Sequence, residues 1–127
     1  MVNRFKLAQA LAAVLQTAVP TWLSVTAADE HLLLTAPAGM PHTIYSWEDD
    51  VADDALCQTL GCHALDELQD FVCEYTTTPW PPVPGRAADM ALPGARVQQD
   101  SLYLWYGEPD APTLQVTPID LREIWSA

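Results

Sequence analysis

The segment DELQDFVCEYTTTPWPPVPG, residues 66–85, decides how the chain is organised. Its first half predicts the end of an amphipathic helix, because apolar residues recur at the spacing of one helix face. The apolar residues are Leu65, Leu68, Phe71, Val72 and Tyr75, and the acidic residues of the opposite face are Asp66, Glu67, Asp70 and Glu74. Pro79 cannot continue the helix, and the prolines that follow predict an extended polyproline path. We expect Trp80 to pin that path to the body of the protein.

The helix that ends in this segment is expected to begin near Val51, with Asp49 or Asp50 as its N-cap. Gly61 leaves two interpretations open. Either one long helix is weakened at this glycine, or a short helix ends there and a second one starts near His63.

Towards the N-terminus, apolar residues at helical spacing predict a helix over residues 4–19, with Asn3 as its N-cap and Pro20 as its stop. A basic start followed by an apolar run is also typical of a signal peptide, but glutamines on one helix face favour a structural amphipathic helix. Three strands are expected next, and they cover residues 22–26, 31–35 and 42–47.

Towards the C-terminus, alternation predicts a hairpin of residues 95–98 and 101–106 around Gln99-Asp100. A further strand at 113–117 and a helical turn at 120–125 complete the pattern. The order is helix, three-strand meander, helix, then a two- to three-strand hairpin. It predicts one α+β domain over residues 1–127, with the helices packed on one face of a mainly antiparallel sheet.

Charge is the strongest global feature of the chain. The formal net charge is −12 and the sequence pI is about 4.2. The basic residues are Arg4, Lys6, Arg86, Arg96 and Arg122. Direct binding to nucleic acid or to an anionic membrane is therefore not expected, since both require basic side chains. A basic protein partner would be attracted, and the alternative is that the acidity only provides solubility.

Aromatic residues indicate a contact surface. The chain has five tryptophans and four tyrosines. In the strand 101–106, Leu102, Leu104 and Tyr106 face one way, while Tyr103 and Trp105 face the other. Two helices can hardly cover both faces of a sheet, and aromatic residues are enriched at interfaces. The residues expected to bind a partner are Tyr103, Trp105, Trp80, Asp66, Glu67 and Asp70.

Candidate chemistry is sparse. Cys57, Cys62, His63 and Cys73 could form a structural zinc site, but on a continuous helix Cys57 lies about 140° from Cys62. The alternative is that the cysteines fill the core. The odd number of cysteines fits a reducing compartment. No nucleophile elbow, phosphate-binding loop or metalloprotease motif is present in the sequence, so we expect neither an enzyme nor a cofactor.

Two segments carry a resemblance. ELQDFVCEYTTTPWP (67–81) and LYLWYGEPDAPTLQVTPI (102–119) resemble a class of small acidic proteins of actinobacteria and their phages. The resemblance implies no catalytic residue. It favours a phage or mobile-element context and a cytoplasmic or virion-associated location. Separately, the element order is similar to that of secretion-chaperone-like domains, which is an analogy of fold alone.

Together these observations predict a non-catalytic interaction or assembly protein, a structural or accessory component of a phage particle or mobile element, which binds a protein partner or itself. One alternative is an acidic inhibitor or chaperone-like adaptor that binds a basic partner. Another is a small zinc-stabilised domain.

Overall fold

The computed structural model describes residues 3–29, 31–44 and 54–124. The helices are α1 (Arg4–Ala18), α2 (Asp54–Thr76) and a C-terminal 3₁₀ helix (Leu121–Ile124). The strands are β1 (Ser24–Ala28), β2 (His31–Thr35), β3 (His42–Ile44), β4 (Pro82–Val83), β5 (Arg86–Met90), β6 (Pro93–Gln98), β7 (Ser101–Glu108), β8 (Ala111–Gln115) and β9 (Ile119–Asp120). This arrangement confirms the predicted α+β class.

The described strands form three antiparallel sheets. The first sheet has the order β1-β2-β3, the small sheet pairs β4 with β5, and the second sheet has the order β6-β7-β8 with β9 also paired to β7. Residues 77–124 therefore contain six strands, β4 to β9, where the sequence predicted two or three after α2. The predicted beginning of α2 near Val51, the end of the third strand at 45–47 and Trp125 lie outside the described residues.

The N-terminal half follows the predicted pattern. Asn3 Oδ1 accepts a hydrogen bond from the Lys6 backbone N–H at 3.0 Å, which confirms the N-cap, and α1 ends shortly before Pro20. The side chain of Gln16 then ties α1 to β1. It donates to the Leu23 carbonyl at 2.8 Å and accepts from the Val25 N–H at 2.7 Å. One helix glutamine thus satisfies both a donor and an acceptor of the adjacent chain.

Helix α2 runs through Gly61 without a break, so the first of the two interpretations is the right one. A Cβ atom at Gly61 would lie 2.7 Å from Leu104 Cδ2 and 3.6 Å from both Ala95 Cβ and Leu102 Cδ1. The absence of a side chain lets the helix approach the second sheet closely. The glycine therefore reflects helix–sheet packing and not a helix end.

The proline segment leads into a hairpin that the sequence did not predict. Pro82 and Val83 form β4, which pairs with β5, and the Trp80–Pro81 peptide bond is cis. The Trp80 ring meets the Tyr106 ring edge-on, with 5.3 Å between centroids. The prediction that Trp80 pins this path to the body is confirmed.

The second sheet presents two different faces. The hairpin turn at Gln99-Asp100 is confirmed, and both residues have positive φ. On the inner face, Leu102, Leu104 and Tyr106 are completely buried. They join the buried residues of both helices and of the first sheet in one hydrophobic cluster. The outer face of the same strand is only half-buried.

Part of the predicted apolar face of α2 lies at the surface. Leu68 and Val72 are buried as expected, but Tyr75 is 51% exposed. Tyr75 stacks on Trp22, with 4.6 Å between ring centroids, and on Phe71 at 6.5 Å. The aromatic end of the helix therefore docks through ring stacking and not by burial in the core.

Candidate functional site

The outer face of β7 carries the two aromatic residues on which the sequence argument rests. Tyr103 and Trp105 lie on this face, and both are half-buried. The face closes around a small cavity of about 120 Å³ lined by Arg96, Gln98, Tyr103, Trp105, Pro109, Pro112 and Gln115. Helix α2 packs on the inner face of the second sheet. Within the described residues, only strands and turns form its outer face. We call it the aromatic face.

The Trp105 side chain is held in one position on this face. Its indole lies against the backbone of Gly94, the cross-strand partner, where a Cβ atom would be 2.5 Å from the ring. The Arg96 guanidinium carbon lies 5.7 Å from the ring centroid, a cation–π distance. Gly94 below the ring and Arg96 beside it therefore orient the Trp105 indole on the sheet.

Trp80 lies elsewhere. It is half-buried against Tyr106, which faces inwards from β7, while Tyr103 and Trp105 face outwards. Its backbone N–H donates to Cys73 Sγ at 3.3 Å. The structure therefore does not bring Trp80 together with the other two predicted aromatic contacts.

The predicted acidic residues lie on α2. Asp66 and Asp70 are exposed, and Glu67 is half-exposed with its Oε2 3.7 Å from His42 Nε2. Partial desolvation, together with the negative charges of Asp66, Glu67 and Glu74, raises the pKa of Asp70 above its ordinary value. None of these carboxylates has an Arg or Lys ion-pair partner among the described residues. Since α2 covers the inner face of the second sheet, its acidic side and the aromatic face are separate surfaces.

The zinc alternative requires a break at Gly61 that the structure lacks. Along the unbroken helix, Cys57 is buried, Cys62 and Cys73 are half-buried, and His63 is exposed. Within residues 3–29, 31–44 and 54–124, no group of three or more His, Cys, Asp or Glu side chains could hold a metal ion. All four weak candidates fall in that part of the chain, and they do not converge.

The thiols have structural contacts instead. Cys62 Sγ lies 3.9 Å from the Pro93 carbonyl oxygen, and Cys73 Sγ contacts the Trp80 backbone. Burial, followed by the negative charge of Asp66, raises the pKa of the Cys62 thiol. A raised pKa keeps a thiol protonated, which is the opposite of what a cysteine nucleophile requires.

A set of polar contacts between α2 and the strands was missed by the sequence argument. Gln58 Oε1 accepts from the Val97 N–H at 2.7 Å, and the buried Gln69 donates through Nε2 to the Ala91 carbonyl. The Tyr106 hydroxyl donates to the Leu65 carbonyl at 2.6 Å. Positions 58, 62, 69 and 73 share one face of α2, because they are four, seven and four residues apart. Glutamines and cysteines on one helix face could have indicated these polar contacts with the strands.

A scan of protein-family models finds no match to this chain, and searches of curated proteins and of solved structures find none either.

In the part of the chain that the structure describes, no helix is both long enough and apolar enough to cross a membrane.

Proposed function

We propose that this chain is a non-catalytic protein-interaction protein that contacts its partner through the aromatic face. The observation that carries the proposal is the asymmetry of β7. Its inner side chains are completely buried, whereas Tyr103 and Trp105 on the other side are only half-buried. Tyr and Trp are the residues that most often dominate binding energy at interfaces.

Preorganisation supports this role. Binding costs conformational entropy whenever a side chain must be fixed, and a side chain that is already fixed avoids that cost. Trp105 rests on Gly94 beside Arg96, on the central strand of the second sheet. A partner that covers this face would gain apolar contact with little ordering of the protein.

The net charge favours a foreign partner over a second copy. Each copy carries a formal charge of −12, so two copies repel one another, whereas a basic protein is attracted. In the most specific form of the proposal, the protein is a component of a phage particle or mobile element and is located in the cytoplasm or on the virion. The resemblance of residues 67–81 and 102–119 is the only support for that form.

A second candidate is an acidic adaptor or inhibitor that occupies a basic groove of its partner. It is favoured by the carboxylates of α2, which have no described Arg or Lys partner. Replacing the α2 carboxylates with amides would weaken binding through this surface, whereas binding through the aromatic face would change little.

Site-specific photocrosslinking tests the proposal. A photoreactive phenylalanine analogue would replace Tyr103 on the aromatic face or, as a control, Thr59 on the exposed side of α2. Irradiation in an extract of the source cells should give a defined protein adduct at position 103 and none at 59. An adduct at 59 alone would favour the acidic adaptor. An adduct at 103 with twice the chain mass would indicate self-association. No adduct at 103 would contradict the proposal.

A further inference from the structure

An open groove lies beside the aromatic face, between the small sheet and the β7–β8 hairpin. Its volume is about 1140 Å³, and Trp105, Pro109 and Pro112 border both this groove and the small cavity of the aromatic face. Its apolar lining includes Val83, Met90, Leu92, Pro93, Trp105 and Pro112. We call this feature the side groove. It extends the aromatic face into a concave apolar surface.

Leu92 is presented to solvent on a fixed backbone. Its side chain is 71% exposed, and the neighbouring Met90 is 43% exposed. The Leu92 carbonyl accepts from the Gly107 N–H at 2.8 Å, and the adjacent Ala91 N–H donates to the Pro81 carbonyl at 3.0 Å. Leu92 and Met90 together form an exposed apolar rim on the side groove, and an apolar side chain of a partner would cover it.

Charge defines which partner fits. The side groove is lined by the carboxylates of Asp89 and Glu108, both exposed, and no Lys or Arg is found among its described lining residues. Neither carboxylate has an ion-pair partner within the described residues. An incoming apolar segment that carries a positive charge beside its anchor would pair with this rim.

We propose that the side groove binds a protein segment in which a large apolar side chain contacts Leu92, Met90 and Trp105, while a neighbouring Lys or Arg pairs with Asp89 or Glu108. This proposal deepens the proposed function and rests on it, since both concern protein binding around Trp105. It names the chemistry of the partner, which is a basic segment with an apolar anchor. A second copy of this chain is disfavoured, because its charge has the same sign as the rim.

The test selects peptides from a displayed library of random 12-residue sequences on the purified full chain. The affinity of each selected peptide is then measured for the full chain and for three variants. Leu92→Ser removes the apolar contact. Asp89→Asn with Glu108→Gln removes two charges from the groove. Asp66→Asn with Asp70→Asn removes two charges from α2 and is the matched control. All five positions are exposed, so the fold should be retained, and circular dichroism would check this.

The selected peptides should carry Lys or Arg close to Leu, Phe or Trp. Leu92→Ser should weaken a selected peptide about tenfold or more, as expected for loss of an interface anchor. The groove charge variant should weaken it several-fold and reduce its salt dependence, while the α2 variant should not.

Three results would overturn the inference. Equal weakening by both charge variants would mean general attraction to an acidic protein. Peptides that lose binding on a fourth variant, Tyr103→Ser, but keep it on Leu92→Ser would keep the aromatic face as the site and remove the side groove. A library with no enrichment over the bare support would overturn the inference and count against the proposed function as well.

Discussion

Tyr106 provides the sharpest test of how the second sheet is attached to α2. Its ring is completely buried, its hydroxyl donates to the Leu65 carbonyl at 2.6 Å, and Trp80 packs against it edge-on. Burial, followed by the negative charge of Asp66, raises the pKa of the Tyr106 phenol far above its ordinary value near 10. In the folded protein this hydroxyl therefore stays protonated at a pH where the unfolded chain ionises.

The sign and size of the pH effect follow directly. A group whose pKa is raised by folding stabilises the protein fully below its unfolded pKa, and that stability is lost as the pH rises towards the folded value. Between about pH 9 and pH 11, Tyr106 should lower the free energy of unfolding by about 1.4 kcal/mol. Tyr106→Phe removes this loss. At neutral pH the same substitution removes one hydrogen bond and should cost about 1 kcal/mol.

Urea unfolding of the wild type and of Tyr106→Phe across this pH range measures the difference. The wild type should be more stable by about 1 kcal/mol at neutral pH, and its advantage should vanish near pH 11. All other titrating groups are shared, so they cancel in the comparison. Gln69→Leu is the control, because it removes a buried hydrogen bond but no titrating group, and it should keep the wild-type pH slope. A difference between the wild type and Tyr106→Phe that stays constant with pH would refute the burial of this hydroxyl.

Three further substitutions test particular contacts. Gly94→Ala should force the Trp105 indole off the sheet, which would cost about 1 kcal/mol or more and shift its N–H resonance in a ¹⁵N correlation spectrum. Gln69→Leu leaves the Ala91 carbonyl without its buried donor, and chemical denaturation should show a loss of about 1–3 kcal/mol. Asp70→Asn relieves the repulsion between Asp70 and the carboxylates of Asp66 and Glu74, one helix turn away on either side. It should raise the free energy of unfolding by about 0.5 kcal/mol in low salt, and by less in high salt.

Each substitution has a control at an exposed site. Gly39→Ala would place its new methyl group 3.5 Å from the nearest atom, an ordinary contact, and should leave the Trp105 resonance in place. Gln115→Leu and Asp110→Asn change the same residue types at exposed positions and should alter stability little. Equal effects of a substitution and its control would contradict the contact in question.

The secondary structure was largely readable from local signals. Asn3 and Pro20 bound the first helix, alternation locates most of the strands, and Gln99-Asp100 forms the predicted tight turn. Each of these features depends on residues that are close together in the chain, so it can be predicted from a single sequence. The two-sided character of β7 was also predictable, because residues of a strand alternate between its faces.

Features that depend on distant partners could not be predicted. Gly61 indicates either a helix end or a close approach, and only the position of Leu104 decides between them. Strand β5 was missed because its short run, RAADM, has little strand propensity and pairs with a proline-containing partner. The side groove was missed for the same reason, since Leu92 and Glu108 are brought together by the fold.

The measurement that tests the central claim most directly is the affinity for the partner crosslinked at position 103. Dissociation constants would be compared for the wild type, Tyr103→Ser and the matched α2 variant Asp70→Asn. Loss of an interface tyrosine should cost about 1.4 kcal/mol or more, which is a tenfold or greater increase in Kd for Tyr103→Ser, with less than a twofold change for Asp70→Asn. An unchanged Kd for Tyr103→Ser, or a larger effect of Asp70→Asn, would contradict binding through the aromatic face.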